Sequence, residues 1–271
     1  MGKPLVSVLM TAYNRENFIA EAIESVLASS YKNFELIIND DRSKDKTVEI
    51  AQRYARADNR IKVFINEKNL GDYPNRNKTA TYATGEYLKY LDSDDLIYKH
   101  GLEAFVDFME QDKEVALGIS NRENVTIKPF PIIMKPEESV RHHFLKEGYL
   151  HCAPTGTIIR RACFEKLGGF SGKRMIGDFE FGLKMAVNYK VMLVPPGLIF
   201  WRNHGDQEVY IGINNNMYPK LLEEVILNEF KTLSDVVLTP SEKQKVMKSL
   251  KRSNRIAQVK QSIKKIIKSR K

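Results

Sequence analysis

A chain of 271 residues, 42% hydrophobic and 28% charged, can bury a sizeable core and has the composition of a soluble globular protein, which sets aside disordered and fibrous classes. The formal charge of +9 would suggest a nucleic-acid binder, but residues 243–271 hold 12 Lys or Arg and no Asp or Glu, and taking these away leaves −3 on the rest. No apolar run approaches the ~18 residues of a membrane span, the opening MGKPLVSVLMTAYN is interrupted too early for a signal peptide, and Val6 stands where myristoylation of Gly2 would need Ser or Thr.

Strand and helix patterns alternate through the first half. LVSVLMT (5–11) is a buried-strand run, and Phe18, Ile19, Ala22, Ile23, Val26 and Leu27 then recur at the steps of an amphipathic helix. FELIIN (34–39) is the second strand, and Ser43 is placed to cap a helix carrying Val48, Ala51, Tyr54 and Ala55. IKVFI (61–65) and EYLKYL (86–91) are the third and fourth strands, with a short helix between them around 74–83. Leu102, Phe105, Val106 and Met109 mark one more helix. This order predicts an α/β fold with right-handed crossovers and a mostly parallel sheet. Residues 119–158 show little periodicity and contain Pro129, Pro131 and Pro136. Near the end, Thr239 as cap, Pro240 at the first position and Glu242 closing a capping box start a helix. Ile256, Val259, Ile263, Ile266 and Ile267, interleaved with Lys260, Lys264, Lys265 and Lys268, make its later part basic and amphipathic. Such a helix suits an anionic membrane surface, with a solvated terminus as the plainer alternative. Cys152 and Cys163 match no zinc or redox spacing, and two lone thiols fit a reducing cytosol.

Three polar clusters fall at the carboxyl ends of strands, where ligands sit in open parallel sheets: TAYNR (11–15), NDDRS (39–43) and DSDD (92–95). Asp92, Asp94 and Asp95 read as a carboxylate cluster without a lysine at hand. That set calls for a hard cation, Mg2+ or Mn2+, with phosphate oxygens completing its shell. No GxxxxGK[ST] and no GxGxxG after a strand offers a glycine cradle instead. An EF-hand is excluded because Ile97 takes the place of its turn glycine. An aspartyl-phosphatase reading of the DxD suits poorly a motif that follows the fourth strand rather than the first. The purely structural alternative is an acid capping the next helix.

Three stretches, in this order and spacing, resemble glycosyltransferase family 2, the inverting GT-A-fold sugar transferases. They are VSVLMTAYNRENFIAEAIESVLASSYKNFELIINDDRSKDKT (6–47), NLGDYPNRNKTATYATGEYLKYLDSDD (69–95) and FEKLGGFSGKRMIGDFEFGLKMA (164–186), within a domain of about 4–206. The resemblance implies a GT-A, Rossmann-like, mostly parallel sheet flanked by helices over 1–215, with a nucleotide-sugar half of about 1–118 and an acceptor half of about 119–215. A helical, basic C-terminal extension would follow over 216–271. It further implies that Thr11 and Tyr13 line the nucleotide pocket and that Asp41 accepts a hydrogen bond from the base, with Asp40 an architectural neighbour. Arg76 would sit beside the donor, and Asp92 and Asp94 would contact ribose and metal, with Asp95 sharing the part of Asp94. Asp178 takes the position of the catalytic base, ahead of the weaker candidate Glu180, and His204 that of a further metal ligand. Arg42 stands where the family usually has Gly, and NKT (77–79) lacks the usual Gly after Asn77. No QxxRW is present, so single addition is expected rather than processive synthesis.

The implied donor is a nucleotide-sugar, a UDP-sugar first, and the implied acceptor a cell-surface polysaccharide or lipid-linked glycan, with no nucleic acid. The implied place is the cytoplasm, with the tail at the inner face of the cytoplasmic membrane. A catalytically weak nucleotide-sugar-binding or scaffolding subunit of a glycan assembly complex is the alternative. The joint presence of Asp41, Asp92, Asp94 and Asp178 favours the enzyme.

Overall fold

β1 (Val6–Ala12) is buried at every position but Thr11, as a strand covered by helices on both sides must be. It runs parallel to β2 (Phe34–Asp40) on one side and to β4 (Tyr87–Tyr90) on the other, and β3 (Ile61–Ile65) extends β2 in parallel. The computed structural model that gives this arrangement describes residues 2–120, 131–204 and 217–269, the backbone alone from 256 onward. α1 (Ile19–Leu27) buries Ile19, Ala22, Ile23 and Val26, the face marked by the sequence spacing. α2 (Thr47–Ala57), α3 (Asp72–Ala80), the short β5 (Leu96–Ile97) and α4 (Gly101–Met109) complete the first half.

The second half adds β6 (Val115–Ile119), β7 (Ile132–Met134), α5 (Pro136–Leu145), a 3-10 turn at Pro154–Gly156, β8 (Thr157–Arg160), α6 (Arg161–Lys166), α7 (Gly177–Asn188), β9 (Lys190–Leu193) and β10 (Ile199–Phe200). Two further helices follow, α8 (Tyr218–Thr232) and α9 (Pro240–Ser269). The eight-stranded sheet has the order β3-β2-β1-β4-β8-β6-β9-β7, and β10 pairs with β5 in a separate antiparallel ribbon. Four of the seven neighbouring pairs in the large sheet are parallel, which bears out the mostly parallel α/β expectation. Helices pack on both faces over two apolar clusters.

One local expectation is corrected. Ser43 does not cap α2: its N–H (2.8 Å) and its hydroxyl both turn back to the Asp40 carboxylate. The neighbouring Arg42 has φ 70°, a left-handed conformation that folds the chain onto Asp40. Asp45 takes over at the helix start, accepting the Thr47 N–H at 3.0 Å. Residues 119–158, where the sequence shows little periodicity, contain the last residue of β6, all of β7, α5, the 3-10 turn and the start of β8. Ser139 and His143 occupy part of the buried face of α5 beside Val140, so the apolar spacing that betrays a helix is missing.

At the C-terminus the capping box forms as the sequence indicates: the Thr239 N–H donates to Glu242 Oε2 at 3.0 Å and the Glu242 N–H to Thr239 Oγ1 at 3.3 Å. Arg141 of α5 reaches the same Glu242 at 2.9 and 2.5 Å, tying α9 to α5. Val246 is buried with Val225, Ile226 and Phe230 of α8, and Met247 and Leu250 pack against the same cluster. The first turns of α9 therefore belong to the core. Its basic amphipathic stretch, Ile256 to Lys268, has side chains outside the described residues.

Candidate active site

Parallel register delivers the site. Thr11 lies opposite Asn39 and Ala12 opposite Asp40, so Tyr13 and Asp41 leave the sheet at the same edge, next to the end of β4. The Asp41 N–H closes the gap by donating to Ala12 O at 2.8 Å. Tyr13 leaves this edge with an exposed ring. The carboxylate of Asp41 is buried and accepts from Asn66 Nδ2 (2.8 Å), the Leu70 N–H (2.8 Å) and the Gly71 N–H (2.9 Å). A carboxylate offers about four lone-pair positions, so acceptor capacity remains. Asp40 instead serves the turn through Ser43, and burial raises its carboxyl above the usual range despite those hydrogen bonds. Arg42 Nη1 donates to Glu67 O at 2.6 Å, bracing the same turn.

Arg76 lies on the buried side of α3. Its Nε is 2.7 Å from Asp72 Oδ1 and its Nη1 2.7 Å from Asp92 Oδ1. Burial works against the guanidinium charge, but these two carboxylates outweigh it and hold Arg76 firmly ionised. In return, Asp92 is pushed up by burial and pulled below the usual carboxyl range mainly by Arg76.

Asp92, Asp94 and Asp95 bring one oxygen each to within 4.8 Å of one another. Asp94 Oδ2 takes two donors, Arg15 Nε at 3.1 Å and His204 Nε2 at 3.0 Å. The Asp95 carboxylate accepts the Arg202 N–H at 2.9 Å. Burial, with Asp92 and Asp94 beside it, raises the Asp95 carboxyl above the usual carboxylate range. His204 stacks on Phe18 with ring centroids 4.6 Å apart, and its Nδ1 is buried without a hydrogen-bond partner among the described residues. It reaches the acid cluster through Asp94.

Asp178 lies in the first turn of α7, inside the helix rather than at the cap, which is Ile176. Its Oδ1 accepts the Phe179 N–H at 2.7 Å, and its own N–H donates to Tyr73 Oη at 3.0 Å. Gly177 makes that contact feasible, since a Cβ there would stand 2.8 Å from the Tyr73 ring. Burial raises the Asp178 carboxyl to about 6, with Arg76 among the groups that restrain the rise. Arg76 thus pairs with the acid cluster and also acts electrostatically on Asp178. Glu180 has other work: it is paired with Ser171, Lys173 (3.3 Å) and Lys184 (3.4 Å).

Several residues at the site were not picked out from the sequence. Arg15 and Arg202 bind Asp94 and Asp95, and Asp72 and Tyr73 support Arg76 and Asp178. Lys89 corrects the impression that no lysine is near the acids, for it is wholly buried behind them in β4. The signal was a lysine inside the apolar run YLKYL, which a strand buried on both faces does not ordinarily carry.

A family model described as Glycosyl transferase family 2 matches residues 7–168. The putative glycosyltransferase EpsE of Bacillus subtilis (strain 168) is 44% identical over 183 residues, 65% of this chain and 64% of that protein, so the match spans just under two thirds of EpsE. Among solved structures, S. aureus TarS 1-349 in complex with UDP-GlcNAc superposes with a TM-score of 0.70 at 21% identity, covering 90% of this chain and 71% of that one. The mannosyltransferase PcManGT from Pyrobaculum calidifontis, in complex with GDP-Man and Mn2+, gives 0.70 at 15% identity over 97% and 76%. At such identities the structural likeness speaks for the fold, which is GT-A.

Proposed function

The chain belongs to glycosyl transferase family 2, and on that premise we propose that it is a metal-dependent inverting transferase. It moves a single sugar from a nucleotide diphosphate, a UDP-sugar first, to a hydroxyl of a cell-surface polysaccharide or lipid-linked glycan. The observation that carries this reading is Arg76, which contacts Asp92 of the acid cluster and acts electrostatically on Asp178.

The donor atoms fit a hard divalent ion: three carboxylates converge, and one of their oxygens already attracts both a guanidinium and an imidazole. Asp92 and Asp94 would hold Mn2+ or Mg2+, with His204 beside Asp94 and Asp95 sharing the load. Bound there, the ion supplies a Lewis acid for the diphosphate leaving group. Neighbours in complex with UDP-GlcNAc, and with GDP-Man and Mn2+, support a nucleotide-sugar donor of this kind. The chain's own residues do the rest. Thr11 and the exposed ring of Tyr13 line the nucleotide pocket, and Asp41 gives its remaining acceptor capacity to the base. Asp92 orients the ribose and Arg76 holds Asp92 in place. As the sugar develops oxocarbenium character, Asp178 takes the proton of the attacking hydroxyl on the opposite face.

A thermal-shift screen of UDP- and GDP-sugars, with and without Mn2+, tests the reading directly. The expected result is a stabilisation by a nucleotide-sugar that requires the metal, accompanied by hydrolysis or transfer of the sugar. Binding without turnover under any acceptor would instead make the chain a nucleotide-sugar-binding or scaffolding subunit. No stabilisation by any donor would end both readings.

For the tail, we propose peripheral contact with the inner face of the cytoplasmic membrane through 256–271, the charge and spacing of that stretch being the support. No helix among the described residues is long and apolar enough to cross a membrane. Truncation after Arg255 spares Val246, Met247 and Leu250, which pack with the core. The full chain should bind anionic liposomes at low salt and leave them as salt rises, because screening weakens lysine–lipid attraction. The truncated chain should lose that binding and keep donor hydrolysis. If the full chain ignores anionic liposomes at low salt, the membrane contact is refuted.

A further inference from the structure

Lys89 occupies the middle of β4 with no exposed surface. Its ammonium donates to Tyr90 O at 2.6 Å and to Thr155 O, and sits 5.1 Å from the centroid of the Phe105 ring. A buried charge is costly, and burial pushes Lys89 down to about 7 even with Cys152, Asp92 and Asp95 drawing it back. A methionine would fill this volume without that cost, so stability alone is a weak reason for a lysine here. Its position offers a better one.

Thr155, equally buried, belongs to the 3-10 turn Pro154–Gly156 on the acceptor side of the sequence. Its Oγ1 accepts the Asp92 N–H at 2.9 Å. The turn has little freedom. Gly156 O accepts the Ser120 N–H at 2.8 Å, and a Cβ at Gly156 would stand 2.7 Å from Ser120 O. A continuous path therefore runs from the Lys89 ammonium to the Thr155 carbonyl, and from the Thr155 hydroxyl to the Asp92 peptide.

We propose that Lys89 and Thr155 are positioning residues for Asp92: the ammonium fixes the Thr155 peptide, and the Thr155 hydroxyl fixes the first acid of the metal-binding loop. The inference rests on the metal role proposed above. It makes the placement of a donor-side ligand depend on a turn from the other half of the chain.

The test measures Mn2+ affinity of the full chain by calorimetry, with thermal unfolding recorded beside it. Lys89→Met and Thr155→Val should each weaken Mn2+ binding by ~10–100-fold, the range for groups that orient a ligand from behind. Thr155→Ser keeps the hydroxyl and should bind Mn2+ as the unmodified chain does. Because both residues act along one path, the double variant should bind no more weakly than the worse single one. Unchanged affinity in Thr155→Val, or fully additive losses in the double variant, would overturn the proposal; a fall in melting temperature alone would mean support of the fold and nothing more. Should Lys89→Met fail to fold, the Val and Ser pair at Thr155 still decides. A chain that binds no Mn2+ before any substitution removes the metal reading and this inference together, whereas a chain that binds it and is indifferent to both changes removes this inference alone.

Discussion

Asp178→Asn should leave donor affinity within about threefold and lower turnover by ~10²–10⁴, the span expected when a general base is lost. The amide keeps the shape of the side chain and an oxygen to accept the Phe179 N–H, so the first turn of α7 has no reason to move. What disappears is the proton acceptor. In the unmodified chain kcat/KM should fall with unit slope below pH about 6, where burial has placed the Asp178 carboxyl. The residual rate of the variant should lack that limb. Stability provides a second readout of opposite sign. A carboxyl that titrates near 6 when folded and near ~3.9 when unfolded is fully ionised in both states only above pH 6, and there its burial opposes folding by about 3 kcal/mol. Below pH ~4 both states are protonated and the cost is gone. The Asn variant should therefore match the unmodified chain at pH 4 and become the more stable of the two as pH rises through 6. A variant that unfolds would show a structural role for Asp178, and one that turns over normally would show that the base lies elsewhere.

The parts of the molecule that could be read in advance are those where neighbours along the chain determine the outcome. β1 to β4 are apolar runs bounded by polar clusters, and α1 shows its buried face directly in the spacing of Ile19, Ala22, Ile23 and Val26. The capping box at Thr239 and Glu242 is equally local. The acids at the end of β4 stand out because one strand end concentrates them. Residues whose partners lie far away were hidden. Thr155 finds Asp92 63 residues distant, and Arg202 finds Asp95 107 residues distant, with no motif to announce either. α3 and α5 bury polar side chains, Asn75, Arg76 and Thr79 in one and Ser139 and His143 in the other, so their inner faces look solvated on paper. Arg42 is the reverse case: an exposed arginine at a left-handed position is tolerable because its guanidinium braces the turn at Glu67.

Asp94→Asn should abolish transfer by abolishing metal binding, and here the structure makes the substitution unusually clean. The position of the Asp94 main chain does not depend on its carboxylate, because Arg202 Nε holds its carbonyl at 2.8 Å and the Arg202 N–H anchors the neighbouring Asp95. An amide oxygen can still accept from Arg15 or His204, so the loop should stay where it is. The negative charge that drew both of those groups to one oxygen is lost, and with it the strongest attraction for a cation. Mn2+ affinity should fall by more than ~100-fold, beyond the ~10–100-fold span for residues that only orient a ligand. Nucleotide-sugar binding in Mn2+ should drop to the level seen without metal, the opposite pattern to Asp178→Asn, which spares binding and loses turnover. Excess chelator should reproduce the Asp94→Asn phenotype in the unmodified chain, and added Mn2+ or Mg2+ should reverse it there but not in the variant. Comparing the two variants assigns each acid its part, since one failure is read in a binding isotherm and the other only in a rate. Undiminished transfer in excess chelator would remove the metal from the reaction and leave the three acids to the fold.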